Sequence, residues 1–135
     1  MRQRVFHSLM LAAVFSVACG DSTGLEAVTG TYVATQFNLI GTTTTDVLAS
    51  GGSITTTLNA DGSTTGTLFV PAALNQGVDL TADLAGTFTV NGQALFFSHA
   101  VNTFMSDITW IIEPSRLRGT GGLGGSTVSV VLTRQ

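Results

Sequence analysis

From residue 28 onward the chain repeatedly alternates apolar and polar positions with a period of two, the pattern of strands that bury one face. Ile54, Leu58 and Ala60 alternate with Ser53, Thr55, Thr57 and Asn59. Ile108, Trp110 and Ile112 alternate with Thr109 and Glu113, and Val128, Val130 and Leu132 with Thr127, Ser129 and Thr133. Eight runs are predicted as strands: 30–40, 53–60, 63–70, 84–90, 93–98, 104–113, 116–120 and 126–133. Threonine occurs 22 times in the sequence, which supports the same class, because β-branched side chains suit a pleated, half-buried surface. Helical runs of Ala, Leu, Glu and Lys are absent.

The turn residues predict register. Asn91-Gly92 reads as a two-residue type I′ turn, which sets Phe88 opposite Leu95 and Gly86 opposite Phe97, all apolar side chains on one face. A three-residue loop Ala60-Asp61-Gly62, with Gly62 left-handed, brings Ile54, Leu58, Leu68 and Val70 together, whereas a two-residue loop would split them between faces. A third hairpin at Pro114-Ser115 sets Ile112 near Leu117 and Glu113 near Arg116. Along 30–40, Tyr32 lies on the face opposite Val33 and Phe37, so strict alternation cannot bury all three. Sequential hairpins of even number close into a barrel and so remove exposed edges. An eight-stranded antiparallel up-and-down barrel is therefore expected, with an immunoglobulin-like β-sandwich as the alternative. The longer links, 41–52 and 71–83, are rim loops in the first case and crossovers in the second.

The chain begins differently. Met1-Arg2-Gln3-Arg4 is positively charged, and residues 5–17 are mostly apolar but interrupted by His7 and Ser8. That run falls short of the about 20 residues a membrane-spanning helix needs and has the order of a secretory signal. Ser16-Val17-Ala18 fits ordinary small-x-small cleavage. Together with Cys19, the single cysteine, it also resembles the lipobox of bacterial lipoproteins, with Ser16 where an aliphatic residue is usual. The resemblance implies removal of residues 1–18 and acylation of Cys19, which would anchor the protein to a membrane of the bacterial envelope. Gly20 stands where the enterobacterial sorting pattern carries aspartate for inner-membrane retention, which leans toward the outer membrane. The organisation expected is a lipoprotein signal peptide at 1–18, a polar lipidated tether at 19–27 and one domain at 28–135.

Beyond residue 18 there are three arginines, no lysine and eight carboxylates, a formal charge of −5. No basic patch exists to displace counterions from phosphate, which excludes nucleic acid as a partner. It equally excludes a polybasic attraction to anionic lipid, so membrane contact is expected through the acyl anchor. With Cys19 acylated, no disulfide is available.

Gly30-Thr31-Tyr32, opening the first strand, resembles the lipocalin G-x-W signature with tyrosine for tryptophan. Arg134 stands at the end of the last strand, where lipocalins carry an arginine that packs over that ring. Residues 86–95, Gly-Thr-Phe-Thr-Val-Asn-Gly-Gln-Ala-Leu, and the closing Val-Val-Leu-Thr-Arg are similar to small bacterial lipocalin-like lipoproteins. The resemblance implies an eight-stranded barrel whose open end holds a small apolar molecule.

Candidate chemistry is sparse. Residues 119–124, Gly-Thr-Gly-Gly-Leu-Gly, satisfy G-x-G-x-x-G, but a strand and not a helix follows, so they read as a flexible hairpin loop rather than a dinucleotide site. His99 lies near Ser98, Ser106 and Asp107, yet a catalytic triad is a geometry and not a neighbourhood, so a strand-end histidine facing water is expected, and no enzyme. One histidine in the domain cannot build a zinc site, and Asp79 with Asp83 is too sparse for calcium, so neither metal nor cofactor is expected. Tyr32, Phe88, Leu95, Phe97, Trp110 and Ile112 are the candidate lining of a ligand cavity, or else plain core. Phe69 and Phe96 fall off the inward faces and mark a partner patch or a place where rim loops fold over. Two functions stand on these residues: a carrier of a small hydrophobic ligand, and a structural or adaptor lipoprotein that binds another envelope protein.

Overall fold

In the computed structural model, which describes residues 24–135, the alternating runs become ten strands. They are β1 (Gly30–Ile40), β2 (Thr44–Asp46), β3 (Ser53–Leu58), β4 (Ser63–Val70) and β5 (Leu80–Asp83), followed by β6 (Gly86–Asn91), β7 (Ala94–His99), β8 (Trp110–Glu113), β9 (Arg116–Leu123) and β10 (Ser126–Arg134). Two one-turn helices, α1 (Leu25–Val28) and α2 (Phe104–Asp107), and a 3₁₀ turn (Ala72–Leu74) complete the elements. The predicted signal peptide and Cys19 lie outside the described residues. Residues 25–27, expected in the tether, belong to α1.

Eight strands close the barrel in the order β1-β3-β4-β6-β7-β8-β9-β10, each antiparallel to the next, and β10 pairs back onto β1 from Tyr32↔Arg134 to Ile40↔Thr127. The fold is thus a lipocalin-like up-and-down barrel and not a sandwich. The two further strands are short: β2 pairs with the far end of β1, and β5 with the far end of β4. Both fill places where barrel neighbours splay. β1 pairs with β3 only from Gly30 to Val33, and β4 with β6 only at Ser63 and Thr64. The links 41–52 and 71–83 are therefore rim structures with their own strands.

Hairpin chemistry accounts for most of the register. The loop at 60–62 has three residues, Gly62 adopts φ +88°, and Ile54 pairs with Leu68 as expected. At Pro114-Ser115 the pairs are Ile112↔Leu117 and Glu113↔Arg116, with Ser115 at φ +62°. Glu113 there receives both Arg116 at 2.9 Å and Arg118 at 3.2 Å. These exposed pairs contribute at most about 1 kcal/mol each. The third hairpin differs from expectation. Its loop is Gly92-Gln93, with positive φ at Gly92 alone, the pattern of a type II′ turn. Phe88 then pairs with Phe97, Gly86 with His99 and Val90 with Leu95. The shift is two residues, so every side chain keeps its face.

Strand β1 buries Tyr32 and Ala34 at its start and Phe37 further on, against the sequence phase. An extra residue resolves the conflict. The ladder with β10 steps from Ala34↔Leu132 to Gln36↔Val131, leaving Thr35 as a bulge that reverses the alternation. At this end Tyr32 is sealed. Its hydroxyl donates to the Val28 carbonyl at 2.9 Å and accepts from Arg134 at 2.8 and 3.2 Å. The Arg134 guanidinium stands 5.4 Å from the ring centroid and also reaches the Ala27 carbonyl at 2.7 Å.

The predicted strand 104–113 is a second correction. Phe104 and Met105 start the α2 turn, and only Trp110 onward joins the sheet, pairing with β7 at two positions. Phe104 and Met105, adjacent and both buried, break the alternation that Ile108, Trp110 and Ile112 keep, because they plug the barrel end rather than line a sheet. Met105 is fully buried and its carbonyl accepts the Trp110 indole N–H at 3.0 Å.

Candidate functional site

The two ends of the barrel differ in construction. Three tight hairpins, α1 and the last residues of β10 lie at one end, where Tyr32, Val28 and Arg134 close the interior. The opposite end receives every long connection: 41–52, 71–85 and 100–109. There lies a cavity of about 390 Å³. Its walls come from Phe37 and Leu39 of β1, Leu68 and Val70 of β4, and Leu80, Thr81 and Ala82 of β5. The roof comes from loops: Leu74 and Asn75, then residues 101–104, and Leu123 at the tip of β9. The lining is mainly apolar and contains no charged side chain. Leu80, Val101 and Leu123 remain 40–44% exposed, so the apolar surface continues to the rim. A concave apolar site of this size with a few polar atoms suits a small molecule.

None of the six candidate residues lines this cavity. Tyr32 is sealed at the closed end, and Phe88, Leu95, Phe97 and Trp110 are packed core, each at most 4% exposed. Ile112 is half-buried beside that core. Phe97 and Trp110 meet edge to face at 5.6 Å. Alternation selects inward-facing residues, and in a barrel this narrow most of those fill the interior. The cavity is built instead where strands splay and aperiodic loops fold over, and no periodic signal marks residues 71–80 or 101–104. The one sequence clue was the pair of long links. Of the two off-face phenylalanines, Phe69 is half-buried between Ser53 and Thr81, and Phe96 is exposed on the outer wall.

The glycine-rich segment is not a loop. Strand β9 runs through it to Leu123, and only Gly124-Gly125 turn, both with positive φ. Gly119 and Gly121 are required for packing. A Cβ on Gly119 would stand 2.7 Å from the Trp110 ring, and one on Gly121 would stand 2.0 Å from Ile108 Cγ2.

His99 is turned inward, not to water. It continues the inward row Leu95, Phe97, and its imidazole stacks on Phe97 at 5.1 Å. Ser106 Oγ accepts the His99 backbone N–H at 3.4 Å, and both ring nitrogens are buried with no hydrogen-bond partner among the described residues. Burial lowers the imidazole pKa below its usual 6.5, against the opposing pull of Asp83. A histidine with a depressed folded pKa leaves the unfolded chain binding more protons, so its contribution is complete above about pH 6.5 and is lost progressively as pH falls from there through the lower pKa of the folded state. Urea titrations should show stability dropping from about pH 7 toward pH 5, and dropping less in His99→Gln. Equal slopes for the two proteins would refute a buried, neutral His99.

Scans of family models, of curated proteins and of solved structures each return no match to this chain.

Proposed function

We propose that this protein is an envelope lipoprotein whose barrel holds a small apolar molecule in the cavity at its open end. The observation that carries the reading is the cavity of about 390 Å³, apolar, uncharged and continuous with exposed Leu80, Val101 and Leu123. The signal-like residues 1–18 and Cys19 supply the proposed address, outer membrane included. The described chain enters at the closed end, so a tether from an acylated Cys19 would hold the barrel there and leave the mouth free. No catalytic role, metal or cofactor is part of the proposal.

Mass spectrometry of the chain isolated gently from its envelope tests it. A stoichiometric adduct under native conditions that disappears on denaturation is expected, with a denatured mass that lacks residues 1–18 and carries acyl chains on Cys19. Leu74→Trp, which fills the cavity from its roof, should abolish the adduct and leave the thermal melt unchanged. A bare native mass after incubation with envelope lipids would reject the carrier reading.

One observation favours an adaptor role instead. Phe96 and Ile111 are each more than 40% exposed. They lie on the outer face of the paired strands β7 and β8, where Ile111 sits opposite Ala94, two residues from Phe96. A bare native mass together with loss of a protein partner in Phe96→Ser would establish that reading.

A further inference from the structure

His99 takes no part in the proposed binding, yet its setting is unusual. It ends β7, with its backbone opposite Gly86 of β6 and its imidazole stacked inside the barrel on Phe97. Both ring nitrogens are buried, and neither has a hydrogen-bond partner among the described residues. Native proteins rarely leave buried polar atoms so, and those that remain need a reason beyond packing. A neutral imidazole forgoes hydrogen bonds there, whereas an imidazolium would be a full charge enclosed without a counter-ion, a far larger cost. The elements around it offer little to offset that charge. β6 and the rest of β7 carry no titratable side chain, and Asp107 of α2, which lies against β7, is exposed. Asp83 of β5 is the carboxylate whose field reaches the ring, but it is exposed too and its Oδ1 accepts the Ala85 N–H at 2.9 Å.

The segment that follows His99 is held unequally along its length. Val101, Asn102, Thr103 and Phe104 roof the cavity before the chain forms α2 and enters β8. Beyond the roof the hold is firm. The Met105 carbonyl accepts the Trp110 indole N–H at 3.0 Å, and Ile108 packs against Gly119 and Gly121. At the His99 end it is slight. Ala100 N–H reaches the Ala85 carbonyl at 3.2 Å, and His99 N–H reaches Ser106 Oγ at 3.4 Å. Among the described residues no other hydrogen bond joins residues 100–104 to a neighbouring strand. The roof is therefore a flap with one anchored end, and the enclosed imidazole sits at its loose end.

We propose that His99 is an acid-operated latch on the cavity: when its imidazole takes up a proton, residues 99–104 peel from the barrel about the anchored Met105–Trp110 turn, carry the charge into water and unroof the cavity. A histidine in water titrates near about pH 6.5, so protons favour the open form below that value and the closed form prevails above it. On the cavity-binding reading, on which this consequence rests, cargo is retained near neutrality and released in acid.

Hydrogen exchange of the full chain, followed by mass spectrometry at pH 7.5 and pH 5 and corrected for the intrinsic pH dependence of exchange, tests the latch without a ligand. Protection of residues 99–104 should fall severalfold at pH 5 while β3, β9 and β10 keep theirs. His99→Gln and His99→Phe, neither of which takes up a proton, should protect the segment equally at both pH values. Asp83→Asn should leave the acid opening in place, and its disappearance there would assign the response to the carboxylate instead. Unchanged protection in the parent, loss spread evenly over the barrel, or the same loss in both His99 variants would overturn the latch. The neutral fluorophore N-phenylnaphthylamine reports the consequence for cargo: bound at pH 7.5, it should leave the parent at pH 5 and stay with the His99 variants. A fluorophore that stays with an opened parent would refute release through the roof. One that binds at neither pH, with the exchange response present, would sink the carrier reading and leave the latch standing.

Discussion

Replacement of Trp110 by alanine should lower the unfolding free energy by about 3–5 kcal/mol, the range for a large aromatic removed from a packed core. The ring is fully buried, edge to face with Phe97, and lies where Gly119 leaves room for it. Its indole N–H is also the donor to the Met105 carbonyl, so truncation opens a void and strands a buried acceptor. Against the about 5–15 kcal/mol typical of a domain, a loss of that size removes much of the margin. Trp110→Phe keeps most of the ring and loses the hydrogen bond, and should cost about 1–2 kcal/mol. Because Trp110 is the single tryptophan, the unfolding curves are best followed by circular dichroism. A Trp110→Ala protein that is nearly as stable as the parent but no longer takes up ligand would mean that the ring faces a cavity after all.

Gly66→Ala is expected to cost at least about 3 kcal/mol, through overpacking and backbone strain together. Gly66 adopts φ +148°, and a Cβ there would stand 2.1 Å from the Thr55 carbonyl oxygen and 2.7 Å from Thr56 Cα. Both atoms are backbone of β3, so neither can swing aside as a side chain would. The residue also stands where β4 changes partners: Thr64 pairs with β6, Thr67 with β5, and the Gly66 carbonyl accepts Leu84 N–H at 3.0 Å. Gly51→Ala is the control. It also has positive φ, +98°, but open space around it, and should cost about 1–2 kcal/mol through backbone strain alone. Equal costs in chemical denaturation would show that the close approach at Gly66 is relieved easily.

These two positions also show what a reader of the sequence can see. Trp110 is legible as inward-facing because Ile108 and Ile112 share its phase, and Pro114-Ser115 and Ala60-Asp61-Gly62 determine register through local turn chemistry that needs no tertiary context. Gly66 is illegible, since its requirement is imposed by a carbonyl on another strand. Strands β2 and β5 were hidden for a related reason. They are short and mostly exposed, and exist because barrel neighbours part at the mouth. Tyr32 and Phe37 looked incompatible, and their conflict was itself the trace of the bulge at Thr35. The cavity was least legible. Thr103, Leu74 and Leu123 meet only because three separate connections arrive at one end, and nothing in their spacing announces that.

The seam between β1 and β10 has a bearing on how the molecule comes into being. Tyr32 and Arg134 are joined across nearly the whole described chain, and closing so large a loop is the slow kind of step in folding. Until the final strand arrives, β1 has no partner on that edge and the interior has no last wall. A chain emerging end to end from synthesis would therefore remain unsealed until β10 appeared.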